Sequence, residues 1–411
     1  MVSSNERVSS ITLVRVRRLV ERPTPGTVGL AGLVAAMVFC VIRVLRLGGG
    51  WGTFVVAGRP FTDSETVTGR IPVMAGAGFD GQFFYRLAVD PFTVGLGRAH
   101  GIAFDYGVRS GRVGYPALVW LASMGGQPHL VAPMMVAVNV LAVGLLAWVG
   151  AHLARDHGRI ALWGLVIAGY FGFGVVLGRD LSELVAATAV FSALLLVGRG
   201  AHLWAGACAA LAVVTREQAV LTVVAITLGI VVFEWRRGSW SAAARAAATF
   251  AIPPALLFLA SQLAVRHVIG ELPAASSSHL SATWPLVDFP RALRRWVDEF
   301  IHGMGGGSAL VLGCFIAIVW MVGLAVTSDG VQVAFAQRPW ELFAGAAGIG
   351  VFTLSSRNVL VAPADFRQAY ELVGCAWLVL WSGSGTRRLW WAMAVVAPVT
   401  VLAIGFRCLV I

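Results

Sequence analysis

Apolar runs recur along the chain near residues 28–47, 129–153, 160–178, 184–198, 203–214, 217–233, 246–267, 308–327, 340–354, 370–382 and 389–408. A shorter run at 116–123 reads as a partial helix. A helix crosses the hydrocarbon core of a bilayer in about 20 apolar residues. The spacing therefore predicts an all-α polytopic bundle of about ten to twelve spans. The run at 203–214 is short, which suits a half-helix or a tilted span. The period-two alternation of a membrane β-barrel is not visible.

Between the runs lie polar segments of unequal size. Residues 1–27 form an arginine-bearing tail, and 28–411 read as one membrane domain without a soluble domain, linker or repeat. Two loops are large, 48–115 and 268–306. The glycine-rich GMGGG at 303–307 reads as a turn into the next span. The first apolar run is too long for a signal-peptide core, and no A-x-A cleavage site follows a short one, so it is expected to be retained.

Composition sharpens this picture. Of 411 residues, 58% are hydrophobic and 12% charged, and mean hydropathy is +0.80. So few charges would not keep a soluble domain dispersed. The net charge is +11, and every basic residue is arginine. In a membrane chain that balance signals topology and contact with anionic membrane lipids; no nucleic-acid-binding pattern accompanies it. Cys40, Cys208, Cys314, Cys375 and Cys408 sit in apolar runs without a CxxC, and the histidines are scattered, so no metal site is expected.

Arginines in short loops set the orientation. The tail carries Arg7, Arg15, Arg17, Arg18 and Arg22, and the turns at 155–159, 198–202, 234–240 and 385–388 are also basic. Counting spans places these on one side, expected to be cytoplasmic. Arg43 and Arg46 run against the rule. The other side receives 48–115, GRDLSE (178–183), TREQ (215–218), 268–306 and 355–369. Nearly every unusual polar residue falls there, so any chemistry is expected on the extracytoplasmic face.

The stretch GFDGQFFYRLAVDPF (78–92) stands out. As a helix beginning after Asp80, it sets Phe83, Phe84, Leu87 and Ala88 on one face and Gln82, Arg86 and Asp90 in a polar row. Asp90-Pro91 closes it. That pattern predicts an amphipathic helix lying on the membrane surface, with Asp80 either its N-cap or a functional acid. A second such helix is expected in 268–306, with Asp288 as cap, Pro290 in the first turn, and Leu293, Trp296, Val297, Phe300 and Ile301 on one face. Its Arg291, Arg294, Arg295, Asp298 and Glu299 read as a solvated face over lipid headgroups.

Further charges stand at the mouths of spans, in YGVRSGRVGYP (106–116), GRDLSE and TREQAVL, and at Arg357, Asp365 and Arg367. Charge there is costly unless it faces a bundle interior or a wet cavity. Snorkelling to the interface is the bland alternative, and it suits arginine better than acids. RDLSE equally reads as a capped helix start.

In their order, GFDGQFFYRLAVDPF, RSGRVGYPALVWLA, GRDLSELVAATAVFSALLL and AVVTREQAVLTVVA resemble bacterial members of the GT-C superfamily of polytopic, mannosyltransferase-like glycosyltransferases. The likeness covers about 28–240; further on, only DFRQAYEL is familiar. It implies transfer of a sugar from a polyprenyl-phosphate-linked donor to a glycan, lipid or protein acceptor, inverting configuration. The superfamily's first-loop acid falls on Asp80, with the implied role of general base. Asp63 and Glu65 are first-loop acids nearer the first span and compete for that role.

A phosphate leaving group needs fixed cations, and arginine binds phosphate in a bidentate, permanently charged way. Arg112, Arg216 and Arg367 are the candidates, ahead of Arg86. Asp180 and Glu183 are open to sugar hydroxyls, a second base or a divalent ion; no cofactor is expected. Gln82, Tyr85, Tyr115, Glu217 and Arg357 complete the expected substrate contacts. The chain leaves no room for the nucleotide-binding domain that a nucleotide-sugar donor requires. A transporter or lipid flippase, and a non-catalytic membrane protein of the same architecture, are the competing classes.

Overall fold

The computed structural model describes residues 23–69, 71–104, 107–270, 272–273, 287–302, 306–354, 363–383 and 385–405. Helix α1 (Pro25–Leu47) starts with proline in its first turn and the Thr24 side chain accepting from the Thr27 amide. The first loop follows, with a 3₁₀ turn (Gly50–Phe54) and a two-residue parallel pair, β1 (Ala57–Gly58) and β2 (Val73–Met74). Next come α2 (Gly81–Val89), the single turn α3 (Gly107–Ser110), α4 (Gly114–Ala122) and the long α5 (Pro128–Asp156). Helices α6 (Gly164–Ala168) and α7 (Phe171–Gly178) lead to α8 (Glu183–Gly198), α9 (His202–Thr215), α10 (Ala219–Arg236) and α11 (Trp240–Ile269). The remainder holds α12 (Phe289–Ile301), α13 (Gly306–Val326), α14 (Gly330–Gln337), α15 (Pro339–Thr353), a 3₁₀ segment (Pro363–Ala369), α16 (Tyr370–Ser382) and α17 (Thr386–Ala403).

Among the described residues, five helices are long and apolar enough to cross a membrane: α1, α5, α10, α11 and, from Ala309 to Val326, α13. A sixth is reached if the stretch Ala161–Ala168 and α7, bent by 56°, make one broken span. The ten to twelve spans expected from the apolar runs are thus not all full-length helices. Helices α8, α9, α15 and α16 have 16, 14, 15 and 13 residues, short of the roughly 20 that a perpendicular crossing takes. Outward-facing Leu30, Leu141, Leu256, Leu263 and Val401 are exposed, the surface expected of a multi-pass protein solvated by lipid.

Packing follows the small residues. Helix α1 lies along α5, where a methyl group added at Gly32 would come within 2.8 Å of Ala147 Cβ, and one at Gly144 within 2.8 Å of Leu33 Cβ. Lipid tails are as apolar as leucine, so close backbone approach and dispersion supply the association that the hydrophobic effect gives in water.

The first loop is a folded cap with its own core. Phe83 meets Phe61 edge-on at 5.4 Å and stacks on Phe104 at 5.8 Å. Helix α2 runs from Gly81 to Val89, within the bounds its sequence predicts, but it is packed inside the protein instead of presenting an open apolar face. All nine of its residues are buried. The loop folds over its polar row: Arg86 donates to the carbonyls of Gly95, Gly97 and Ile102 and lies 4.3 Å from the centre of the Phe104 ring. A buried guanidinium persists only when most of its donors are satisfied, and here loop carbonyls take both terminal nitrogens while Nε alone is left without a partner.

Helix α12 keeps its amphipathic pattern. Trp296 and Ala292 are buried, while Leu293, Phe300 and Ile301 stay exposed beside the arginines. Asp288 accepts from Arg291 rather than from the helix backbone.

Candidate functional site

The charged residues at one end of the bundle form a network assembled from five parts of the chain. Asp80 immediately precedes α2, but its side chain makes no capping hydrogen bond. Its Oδ2 accepts from Arg112 Nη1 at 2.8 Å, and its Oδ1 lies 3.3 Å from Arg109 Nε. Arg112 also grips Glu217 with two parallel bonds, Nε to Oε2 at 2.9 Å and Nη2 to Oε1 at 2.7 Å. Deeper in, Glu183 Oε1 is 2.8 Å from Arg367 Nε and 3.4 Å from Arg216 Nη2. Arg367 Nη1 lies 3.4 Å from Asp365.

Local geometry explains why these groups meet. Arg109 and Arg112 are three residues apart across the α3 turn, and Arg109 lies over the Phe83 ring at 4.6 Å. Arg216 and Glu217 occupy the break between α9 and α10, where Arg216 leaves helical geometry at φ −145° and ψ 118°. Glu183 opens α8, and Arg367 belongs to the 3₁₀ segment before α16. Two glycines permit the approach. A Cβ on Gly114 would lie 2.3 Å from Thr215 Oγ1, and one on Gly172 would lie 2.6 Å from the Arg367 Cα.

The electrostatics run from a closed interior to an open rim. Glu183 and Arg216 side chains are 1% and 2% exposed, Asp80 is 15%, and Glu217 is 35%. Burial pushes the Asp80 carboxyl up, but the guanidiniums of Arg109 and Arg112, with Arg367 and Arg216, outweigh it and hold it at about 2. Glu217 is held at about 2 in the same way: burial raises it, while the charge and paired bonds of Arg112 lower it further. Two buried atoms of the network, Arg216 Nε and Glu183 Oε2, have no hydrogen-bond partner. A buried polar atom left so is costly and marks a place where a further polar group fits.

The residues singled out in the sequence divide clearly. Asp80, Arg112, Glu183, Arg216, Glu217 and Arg367 converge. Four others do not reach the network and serve the fold. Gln82 accepts from the Gly58 amide and Thr62 Oγ1 and donates to the Ala77 carbonyl. The Tyr85 hydroxyl sits 2.9 Å and 3.1 Å from the Thr68 and Pro128 carbonyls. The Tyr115 hydroxyl donates to the Met135 carbonyl and accepts from Asn139. Arg86 is held by the loop carbonyls described above.

Asp180 is fully buried in a left-handed conformation, φ +47°, and neither of its carboxylate oxygens has a hydrogen-bond partner. Of the competing acids, Asp63 accepts from the Glu65 amide and Thr66 and pairs with Arg98, an Asx-type loop closure; no contact ties it to the network. Arg357 lies outside the described residues. Arg109 lies in the charged stretch YGVRSGRVGYP, of whose arginines only Arg112 is singled out in the sequence; its place three residues before Arg112 is the signal that joins it to the site. Among the described residues, no group of three or more His, Cys, Asp or Glu is arranged to hold a metal ion. No protein-family model matches the chain, and no curated protein matches it.

Proposed function

We propose that the protein is an integral membrane glycosyltransferase that moves a sugar from a polyprenyl-phosphate-linked donor to a hydroxyl acceptor, with Asp80 as general base. The observation that carries this reading is that Asp80 turns away from its own helix terminus and into a cluster of arginines drawn from distant segments. An acid held among several arginines, some of them shared with Glu217 and Glu183, suits a reaction that passes one proton to a base and releases a phosphate leaving group.

In the step envisaged, the acceptor oxygen attacks the anomeric carbon as its proton passes to Asp80. The bond from that carbon to the phosphate oxygen breaks, and the electron pair leaves on polyprenyl phosphate. Arg112, Arg109, Arg216 and Arg367 stabilise the developing phosphate charge, as preorganised cations do in a water-poor site. Donor phosphate competes with Asp80 and Glu217 for the guanidiniums. Drawing Arg109 and Arg112 toward the phosphate lifts the proton affinity of Asp80 when the acceptor is in place. A single displacement of this kind inverts the anomeric centre. The arginine balance of the short loops orients the network to the extracytoplasmic side of a bacterial cell membrane, where lipid-linked sugars serve glycan, lipid and protein acceptors.

The test uses the full chain in vesicles with a panel of radiolabelled polyprenyl-phosphate sugars and a cell-envelope acceptor fraction. Transfer of label with release of polyprenyl phosphate is expected, and Asp80→Asn is expected to lower it by about 10²- to 10⁴-fold. An Asp80→Asn protein as active as the parent would remove Asp80 from the chemistry. Movement of donor across the vesicle membrane without any transfer would replace the enzyme with a flippase.

A further inference from the structure

The helices that carry the Asp80 network at one end carry a second charged cavity at the other. Glu217 precedes α10 and Arg237 follows it; 18 helical residues separate the two ends by about 27 Å. Glu183 begins α8 and Gly198 ends it, a separation of about 24 Å. At the far end a cavity of about 300 Å³ is lined by His202, Phe233, Glu234, Arg237, Arg338 and Trp340 among others.

Its lining carries Arg237 and Arg338 with one acid, Glu234; a second, buried acid, Glu341, pairs with Arg338, so Arg237 is the cation left at the exposed side. The Arg237 guanidinium is exposed and sits 5.3 Å from the centre of the Phe233 ring, which packs edge-on against Trp340 at 5.1 Å. Arg338 is anchored by donating to the Asp156 carbonyl at 2.7 Å and lies 3.5 Å from Glu341, so its position is fixed. His202 Nδ1 and Trp340 Nε1 are buried without a hydrogen-bond partner. Just outside, Leu203, Trp204 and Trp235 are 57%, 70% and 51% exposed. Exposed tryptophans at helix ends mark the depth of the lipid headgroups.

We infer that this cavity binds the phosphodiester headgroup of an anionic membrane phospholipid, with the acyl chains running along Leu203, Trp204 and Trp235. Bidentate arginine chemistry recognises the phosphate. Basic pockets between membrane helices take lipid headgroups for this reason. The apolar rim favours a lipid over free phosphate. The turns 198–202 and 234–240, which read in the sequence only as orientation signals, thereby gain a ligand.

The experiment is native mass spectrometry of the full chain released from detergent after incubation with phosphatidylglycerol, phosphatidylcholine or inorganic phosphate. Preferential retention of phosphatidylglycerol is expected. Arg237→Gln combined with His202→Gln should lower that retention about fivefold or more, at roughly the strength of one interfacial arginine. Arg245→Gln removes an exposed arginine outside the cavity and should leave retention intact. Equal losses in the two variants, or equal retention of phosphatidylcholine, would overturn the site. Displacement of phosphatidylglycerol by millimolar phosphate would identify a free-phosphate site and overturn the lipid assignment. None of these readouts involves sugar transfer, so the inference stands or falls apart from the proposed activity.

Discussion

Arg112 donates to Asp80 at 2.8 Å while its other two nitrogens are engaged by Glu217. One guanidinium thus bridges two carboxylates that lie 137 residues apart in the chain. The pairing favours the charged form of both acids, with Arg109 acting ahead of it on Asp80, and divides the Arg112 cation between them.

The first prediction concerns pH. Asp80 is held at about 2, below its ordinary 3.8, so its ion pairs contribute stability above pH 4 that is lost as pH falls toward 2. On the proposed mechanism, the acid limb of kcat/KM reports the free enzyme's base. That profile should stay flat from neutrality down to about pH 4 in the parent. Arg112→Gln removes a lowering charge, so its acid limb should move upward in pH. Identical limbs in the two proteins would separate Asp80 from the titration.

Glu217 makes the second. It is the most exposed of the network's acids for which an ion pair with arginine is described, and it occupies two of the donors that a phosphate would use. Glu217→Gln should release Arg112 and tighten polyprenyl phosphate binding by about fivefold to tenfold, or about 1 kcal/mol. Equilibrium binding with a fluorescent polyprenyl phosphate measures this directly. Weaker binding would show that Glu217 holds Arg112 in its useful position instead of competing for it.

Arg86 gives the contrasting case. It stands in the same sequence stretch as Asp80, yet both its terminal nitrogens are consumed by loop carbonyls. Arg86→Gln should therefore destabilise the first loop by about 2 to 4 kcal/mol. Thermal unfolding in detergent should show the loss, and the surviving folded protein should bind polyprenyl phosphate with unchanged Kd.

Gly172 tests the packing beneath the site. An alanine methyl there would meet the Arg367 Cα and the Tyr170 ring, each at 2.6 Å. Backbone cannot yield as a flexible side chain does, so Gly172→Ala should cost about 1 to 3 kcal/mol. It should also weaken donor binding by displacing Arg367. An equally destabilised variant remote from the network, with normal donor binding, is the comparison that isolates the second effect.

The residues that meet were legible as charges at the mouths of apolar runs, because such charges are too costly to leave facing lipid. Helix α2 was legible as well, from its apolar spacing and the Asp90-Pro91 stop. Its burial was not. Periodicity reports that Gln82 and Arg86 share a face, but not whether water, lipid headgroups or a returning loop satisfies them. The same limit applies to Tyr85 and Tyr115, whose hydroxyls bond to backbone carbonyls that sequence cannot locate. Which of the ten to twelve apolar runs are full-length spans is not legible, because a run of 13 to 16 residues looks the same in a tilted span, a half-helix and a buried helix of the bundle.

Arg367 joins the network from beyond residue 360, whereas Asp80 enters from the first loop. During synthesis, the early helices are inserted and the first loop is in place long before Arg367 leaves the ribosome. A chain that stops short of the 3₁₀ segment at Pro363–Ala369 would have Glu183 without that arginine. Assembly of the charge network is in this sense a late event in biogenesis, completed only when the last fifty or so residues, about 363 onward, have docked.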